Sequence, residues 1–299
     1  MPAIVECVPN FSEGRRKEVI DKIVYSIRSV PGVKVLDVEM DSDHNRSVVT
    51  FTGSKDGVQE AAFRSARAAS ELIDLNKHMG QHPRMGALDV LPFVPISGVS
   101  MEDCIEIAQK VGARIGKDLK IPVYLYEAAA KRPERTNLEN VRKGEFEGLR
   151  TAIVTDESRY PDYGPRQLHP TAGATAVGAR MPLIAFNMNI KSTDLEVAKS
   201  IAKKIRASSG GLPKVKALGF ALESRGMVQV SMNLTDYTVT HFSRVFEEVV
   251  KEAGERGVEV AESEIIGLIP LDAVCDLAAK YLKAGTFSSS QVLERRIWG

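Results

Sequence analysis

The sequence is poor in cysteine, and its cysteines do not form a recognisable pattern. Cys7, Cys104 and Cys275 stand far apart in a chain of 299 residues, so neither a disulfide framework nor a zinc motif follows from their spacing. Unpaired cysteines of this kind fit a reducing compartment, and we expect a cytoplasmic protein. Each cysteine falls in an apolar strand or helix stripe, which predicts a buried small side chain.

The sequence also lacks long apolar runs and an excess of charge. No apolar run approaches the ~18 residues of a membrane-spanning helix, and the start "MPAIVECVPN" is not typical of a signal peptide. The 40 Lys and Arg residues balance 39 Asp and Glu residues for a net charge of +1, whereas nucleic-acid and membrane-surface proteins usually carry a basic excess. Aromatic residues make up only 6%, and the strands lack the aromatic pattern of RNA-binding sheets. We therefore expect no nucleic-acid or membrane partner.

Hydrophobic periodicity predicts the same order of elements in both halves of the chain. Each half has a strand, a helix, two strands, a helix and a strand. The segments are 3–8, 13–30, 33–40, 47–53, 54–73 and 87–96 in the first half, and 181–190, 193–206, 214–222, 227–234, 236–257 and 258–267 in the second. Helices at 271–282 and 291–298 follow. The β-α-β-β-α-β order is that of the ferredoxin-like unit. We expect an α/β (α+β) fold with two such subdomains, 1–179 and 180–299, and a ligand groove between them.

Capping residues and breakers predict where several elements begin and end. Ser12, Ser54 and either Ser192 or Thr193 are candidate N-caps, and "SMED" at 100–103 is a capping signal for a further helix. A strand is expected at 121–126, and a polar, helix-compatible region leads from there to about Leu149. The Pro-, Gly- and Thr-rich stretch 150–179 predicts a long loop at the domain junction.

The stretch "HMGQHPRMG" places His78 and His82 four residues apart, which is the spacing of a helical zinc pair. Gly80 weakens a helix at this point, and Pro83 disfavours the α conformation for His82. No third ligand has a recognisable spacing. We therefore expect no metal site here.

His82 is a candidate catalytic base, because imidazole with a pKa near ~6.5 can accept a proton at neutral pH. It lies in an irregular segment just before a predicted strand, where a base would have the exposure it needs. A histidine satisfied by backbone groups in a turn is the alternative. The residues alone leave the two readings open.

Arginines and a glycine-rich run suggest anionic ligands without requiring them. Arg46, Arg84 and Arg180 each follow a loop motif, and arginine binds carboxylates bidentately; solvated surface arginines are the alternative. "GATAVGAR" at 173–180 lacks the Lys-Ser/Thr of a phosphate loop and the following helix. It remains open as a loop that approaches a ligand closely or as a linking turn.

Several segments together resemble the formiminotransferase family. They run in the family's order across nearly the whole chain and are specific in combination. The segments are "VECVPNFSEGR" at 5–15, "NRSVVTF" at 45–51, "HPRMGALDVLPFVPI" at 82–96, "PVYLYEAA" at 122–129, "DYGP" at 162–165, "GATAVGAR" at 173–180 and "IAFNMN" at 184–189.

The resemblance implies an enzyme of one-carbon metabolism and histidine catabolism that moves a formimino group between 5-formiminotetrahydrofolate and L-glutamate. Tetrahydrofolate would be a co-substrate, and no metal would be needed. The implied protein is a homodimer whose two ferredoxin-like subdomains enclose a ligand tunnel. The histidine of the family's "HPRMGALDV" motif is the catalytic base, which corresponds to His82.

The resemblance also implies the binding residues. The folate-binding loop corresponds to Gly164, Pro165, Arg166, Gln167, Leu168, His169, Pro170, Thr171, Ala172 and Gly173. The candidate substrate-binding residues are Glu39, Asn45, Arg46, Arg84, Met85 and Arg180.

The chain departs from the family pattern in several places. "RQLHPTA" within the loop differs from the animal enzymes, and Glu39 stands where an aspartate is expected. Many animal members carry a cyclodeaminase domain afterwards, and we expect a transferase without it here.

Two other functions stay open at this level. One is formyl transfer from 5-formyltetrahydrofolate to glutamate, because the formyl oxygen and the imino nitrogen are nearly equal in size. The other is a folate-binding protein without catalysis, which would have no need of a base at position 82.

Overall fold

The computed structural model describes residues 3–42, 44–80 and 82–298. The chain divides into two compact units, Met1–Arg180 and Met181–Gly299, each with its own sheet and its own hydrophobic core. Among the described residues, none of the helices is long and apolar enough to cross a membrane.

The first unit contains seven strands and five α-helices in the described part of the chain. They are β1 (Ile4–Cys7), β2 (Asn10–Phe11), α1 (Lys17–Arg28), β3 (Lys34–Asp41), β4 (Arg46–Gly53), α2 (Lys55–Leu72), β5 (Leu88–Ser97), α3 (Met101–Arg114), β6 (Val123–Glu127), α4 (Leu138–Arg142), α5 (Glu145–Thr155) and β7 (Thr175–Ala179).

The sheet of the first unit has a ferredoxin-like core extended by two strands. β1 and the short β2 both lie between β4 and β5 and are antiparallel to them, while β3 pairs with the outer side of β4. With α1 and α2 this gives the β-α-β-β-α-β order of the ferredoxin-like unit. β7 then pairs in parallel with β5, and β6 pairs in parallel with β7.

Apolar stripes explain how the helices pack in this unit. α1 buries Val19, Ile20, Ile23 and Ile27, which recur at helical spacing along one face. β5 is buried over its first seven residues, Leu88 to Val94, as expected for a strand with neighbours on both edges and a near-continuous apolar sequence. Burying each large aliphatic side chain contributes about 1.5–3 kcal/mol. The polar segment that precedes β5 therefore ends at a buried, rigid strand.

The second unit has the same core order without the extension. Its elements are β8 (Ile184–Ile190), α6 (Leu195–Ile205), β9 (Val215–Leu222), β10 (Met227–Leu234), α7 (Phe242–Glu255), β11 (Val260–Ile266), α8 (Leu271–Tyr281) and α9 (Leu293–Trp298). The strands are antiparallel in the order β11-β8-β10-β9, which is the ferredoxin-like arrangement. Alternate residues of β8 face the core, where the Phe186 and Phe242 rings pack with centroids 4.5 Å apart.

Several predicted caps are confirmed. The Ser54 hydroxyl accepts a hydrogen bond from Gly57 N at 3.2 Å, and Ser100 and Asp103 form a reciprocal capping box. All three cysteines are buried, as their apolar surroundings predicted.

The prediction that Ser12 caps the first helix is wrong. Glu13 instead accepts hydrogen bonds from the Arg15 and Arg16 backbone nitrogens, both at 2.9 Å, and the helix starts only at Lys17. The Ser12 hydroxyl donates to Gly86 O at 2.7 Å, far along the sequence.

Two other boundaries in the second unit are also wrong. Asp194, not Ser192 or Thr193, caps α6, because its carboxylate accepts from Glu196 N at 2.9 Å. The helix predicted from residue 236 begins at Phe242, since Asp236 instead turns the chain by accepting from Thr238 N at 3.1 Å.

The long loop predicted at 150–179 is shorter than expected. α5 continues to Thr155, and "TAVGA" forms the buried parallel strand β7. Most of the glycine-rich run at 173–180 is therefore a strand rather than a loop.

Candidate functional site

The segment 82–87 is the last part of the connection from α2 to β5 and is held by hydrogen bonds of its own backbone. Met85 N donates to the Asp89 carboxylate at 2.7 Å, and Met85 O accepts from Ala174 N at 2.9 Å. Gly86 lies so close to β7 that a Cβ there would stand 1.9 Å from Ala174 O. Only glycine fits this approach, so the sequence dictates where the segment enters β5.

His82 is half-buried in this segment and lines a narrow cleft. Its Nε2 is in hydrogen-bond contact with a terminal guanidinium nitrogen of Arg46, and the His44 ring lies 6.3 Å away between centroids. The cleft is lined by Phe11, Ser12, His44, Asn45, Arg46, His78, His82, Arg84 and Asp89.

The surroundings of His82 favour its neutral form. Burial lowers its pKa to about 3, with further contributions from the positive charges of Arg46 and Arg142, while Asp89 opposes them. Burial and the charge of Arg142 lower the pKa of Arg46 to about 10, which still leaves it protonated at neutral pH. Because a guanidinium can only donate, Nε2 of His82 is an acceptor and the ring proton lies on Nδ1.

Asn45 joins three segments around the cleft. Its side-chain oxygen accepts from Gly14 N at 2.8 Å, and its amide nitrogen donates to Met79 O at 3.0 Å. Its carbonyl contacts His78 Nε2 at 2.8 Å. The Asn45 side chain is thus occupied by backbone groups, which supports a structural contribution to the cleft.

His78 and Arg84 form a second hydrogen-bonded group in the cleft. Arg84 Nε donates to His78 Nδ1 at 3.1 Å, so both ring nitrogens of His78 are engaged. The guanidinium of Arg84 also donates to Glu147 at 2.7 and 2.9 Å, and more weakly to Glu145 at 3.4 Å. Carboxylates of the protein itself therefore occupy Arg84.

The remaining predicted substrate residues lie elsewhere in the first unit. The Met85 side chain is fully buried in the core. Glu39 is half-buried on β3, opposite Val48 of β4. Arg180 follows β7, where its backbone nitrogen donates to Phe93 O at 3.1 Å and its charge partly offsets the burial that raises the pKa of Glu6. None of these three residues lines the cleft around His82.

The predicted folate loop, 164–173, begins and ends at glycines with positive φ. Gly164 has φ +85° and a Cβ there would lie 2.7 Å from Ile121 O; Gly173 has φ +68° and a Cβ would lie 2.3 Å from Met85 O. The loop closes on itself, because His169 and Gly173 exchange two backbone hydrogen bonds of 3.1 Å. His169 Nδ1 also accepts from Ala172 N at 3.0 Å, and burial lowers the pKa of this histidine.

The second half of this loop is bonded to the chain on both sides of His82. Leu75 N donates to Thr171 O at 2.8 Å, Ala87 N donates to Ala172 O at 2.9 Å, and the Asn76 side chain donates to Pro170 O at 2.9 Å. In the first half, Gly164, Arg166 and Gln167 are exposed, Pro165 is half-buried and Leu168 is buried. The Arg166 guanidinium lies over the Tyr160 ring at 4.0 Å. The structure thus brings the loop and the His82 segment together.

Two charged residues of the site were not predicted. Arg142, at the end of α4, donates to the carboxylate of Asp89 at 2.5 Å, and Asp89 is only 3% exposed. The sequence signal that could have identified Asp89 is its position as a single aspartate inside the apolar run "ALDVLPF". Arg142 carried no such signal, because its partner is 53 residues away.

A roomier, open cavity lies in the second unit. It has a volume of about 610 Å³, lies between α7, α8 and the loops around them, and is lined in part by His241, Arg244, Asp276 and Lys280. None of the predicted site residues lines it, so the chemistry implied by the sequence centres on the cleft in the first unit.

Comparison with known proteins identifies the family. Residues 4–180 match the model of the formiminotransferase domain, N-terminal subdomain, and residues 185–295 match that of the formiminotransferase domain. The chain belongs to the formiminotransferase family. The family resemblance carried by the sequence motifs is thereby confirmed.

Curated members of the formiminotransferase family align along the chain. A glutamate formimidoyltransferase from Streptococcus pyogenes serotype M1 is 50% identical, with the alignment covering 100% of each chain. One of the same name from Thermoplasma acidophilum is 48% identical over 99% of this chain and 97% of its own. A formimidoyltransferase-cyclodeaminase from Mus musculus is 47% identical over 94% of this chain but only 53% of its own.

Proposed function

We propose that this chain transfers a formimino group between 5-formiminotetrahydrofolate and L-glutamate, with His82 as the general base. The observation that carries the proposal is a neutral imidazole whose Nε2 accepts from the Arg46 cation, in a segment bonded to the loop 164–173. The names of the full-length relatives support the same reaction. The reaction belongs to folate-dependent one-carbon metabolism.

The reaction needs a base because the α-ammonium of glutamate has no free lone pair. His82 takes a proton from it, and the freed amine forms a bond to the electron-poor formimino carbon. The bond from this carbon to folate N5 then breaks, its electron pair stays on N5, and His82 returns the proton there. General base and acid catalysis of this type contributes about 100- to 10,000-fold.

Arg46 links substrate binding to the strength of this base. With a pKa of about 3, His82 of the free protein is a weak base. A substrate carboxylate next to Arg46 would offset the positive charge and accept the guanidinium hydrogen bonds, which raises the pKa of the neighbouring imidazole and frees Nε2. We therefore assign Arg46 to a glutamate carboxylate.

We assign the loop 164–173 to the folate. Its exposed residues Gly164, Arg166, Gln167 and Pro170 are available to a ligand, while the buried Leu168, Ala172 and Gly173 hold the loop in place. Holding both substrates at one cleft supplies proximity in addition to base catalysis. Glu39 and Arg180 stay predicted substrate residues, and the tunnel and the homodimer stay predictions.

The decisive experiment measures products from purified protein, L-glutamate and each of two donors. We expect the formimino donor to yield formiminoglutamate faster than 5-formyltetrahydrofolate yields formylglutamate, with mass spectrometry as the readout. Product from the formyl donor alone would overturn the donor assignment. Tight folate binding without product from either donor would overturn the assignment as an enzyme.

A further inference from the structure

The carboxylate of Asp89 connects the segment of His82 to α4. One of its oxygens accepts from Met85 N at 2.7 Å, and the other accepts from Arg142 at 2.5 Å. Asp89 and Arg142 side chains are 3% and 14% exposed, so solvent screens the pair little. A buried carboxylate held at both oxygens fixes the groups that bind it.

The α4–α5 corner holds the His82 segment through a second contact. Phe146 N, in the first turn of α5, donates to Arg84 O at 2.9 Å. The segment is therefore held at Arg84 and at Met85, the second and third residues after His82.

The end of α4 that carries Arg142 is itself held by a further arginine. The Arg159 guanidinium donates to the carbonyls of Asn140, Val141 and Lys143 at 2.9, 2.8 and 3.1 Å. These carbonyls lie in the last turn of α4 and at its C-cap, where carbonyls lack the i+4 donors of a continuing helix. The backbone at Arg142 is therefore held in place by the fold, and its side chain is not a flexible one at the surface.

The pair also contributes to the charge around His82. The positive charges of Arg46 from β4 and Arg142 from α4 lower the pKa of His82, and the negative charge of Asp89 from β5 raises it. His44, from the turn before β4, faces the same ring, and Arg84 is neutralised in part by Glu147. Arg142 and Asp89 thus act on the imidazole with opposite signs.

We propose that Arg142 and Asp89 are positioning residues for His82, and that their ion pair holds the base in the cleft and balances the charge it meets. This inference rests on the proposed role of His82 as the base. Neither residue needs to touch substrate. Displacing a catalytic group by about 1 Å can cost about 100-fold in rate, so we expect kcat to respond more than KM.

The test compares R142Q, R142K and D89N with a matched control, R135Q. Arg135 pairs with Asp162 at 2.7 Å, and Asp162 also accepts from a backbone nitrogen, that of Leu125, at 2.7 Å. The control therefore breaks a buried ion pair in the same unit and leaves the contacts of Asp89 and Arg142 in place. Arg135 also donates to Ser158 O and Tyr160 O at 2.9 and 2.6 Å, so the control reports what disturbing the segment of Arg159 does by itself. Amide NMR spectra and thermal melts of each variant establish that it is folded.

The first readout is the titration of the His82 ring, followed by NMR of the folded protein without substrate. We expect R142Q to move the midpoint to higher pH and D89N to move it to lower pH, while R142K and R135Q leave it near the wild-type value. A merely structural role would not give shifts of opposite sign. Equal shifts in R142Q and D89N, or no shift in either, would overturn the inference.

The second readout is steady-state transfer to glutamate. We expect kcat to fall about 100-fold in R142Q with KM changed little, and R142K to restore much of the rate. Loss of rate in R135Q equal to that in R142Q would overturn the inference. If the wild-type protein transfers nothing, the proposed function fails, yet the opposite shifts in the titration still decide whether the pair acts on His82.

Discussion

The guanidinium of Arg46 is in hydrogen-bond contact with Nε2 of His82. In the free protein burial and this contact together favour the neutral imidazole, whose accepting nitrogen faces the cation. In the proposed reaction the same cation would also bind a substrate carboxylate. Substrate binding and activation of the base would then depend on one arginine.

Replacing His82 by glutamine should abolish most transfer while leaving the fold intact. Glutamine keeps a polar group near Arg46 but cannot take a proton, so we expect turnover to fall about 100- to 10,000-fold. The measurement is kcat with the formimino donor, alongside a thermal melt at neutral pH. His241→Gln is the control, because this histidine is 57% exposed in the second unit and should retain the wild-type rate. Wild-type turnover in the His82 variant would contradict the assignment.

The stability of the protein should fall more steeply with acid because of His82. Burial depresses the folded-state pKa to about 3, below the unfolded value near ~6.5. The unfolded chain therefore binds the extra proton as pH falls below the unfolded value, and the folded state loses up to about 1.4 kcal/mol per pH unit until its own pKa is reached. By pH 5 this amounts to about 2 kcal/mol.

Urea unfolding of wild type and His82→Gln at pH 7 and pH 5 checks this expectation. The variant lacks the titrating group, so its free energy of unfolding should fall by about 2 kcal/mol less than that of the wild type. Equal losses in the two proteins would show that His82 titrates normally.

The sequence predicts the architecture well because alternation and helical periodicity are local signals. Both β-α-β-β-α-β cores follow from them. β7 escapes prediction, because "TAVGA" has small residues and no alternation, and a Pro- and Gly-rich stretch precedes it. Such a strand is identified only by the neighbours that bury it.

The site is predictable only in part, for a related reason. Sequence chemistry leaves His82 open between a base and a turn residue, and the family motif favours the base. The Asp89–Arg142 pair joins residues 53 positions apart, so only the fold reveals that a lone aspartate in an apolar strand has a partner. Arg84, like Arg46, follows a loop motif in the sequence, yet the fold pairs Arg84 with Glu147.

Gly86→Ala should destabilise the protein and misplace the base. An added Cβ would lie 1.9 Å from Ala174 O and 2.7 Å from Leu88 O, so the backbone must shift, which typically costs about 1–3 kcal/mol. Gly148→Ala is the matched control, because a Cβ there meets nothing within 4 Å and the residue lies within α5. In that helix alanine should stabilise by up to about 1 kcal/mol. Denaturation midpoints and kcat of both variants test the contrast, and equal midpoints would refute it.

Arg46 and Arg84 should differ sharply in their importance for glutamate binding. Arg46 contacts His82 and has a buried Nε without a hydrogen-bond partner, whereas Arg84 is bound to Glu147 and His78. A charged hydrogen bond contributes about 1.5–3 kcal/mol, so Arg46→Gln should raise the KM for glutamate about 10- to 100-fold. Arg84→Gln should change this KM little, although losing its partners lowers thermal stability. Steady-state kinetics with glutamate varied at saturating folate donor provide the measurement. A larger rise in KM from Arg84→Gln than from Arg46→Gln would reverse the assignment and make Arg84, released from its glutamates, the carboxylate-binding residue.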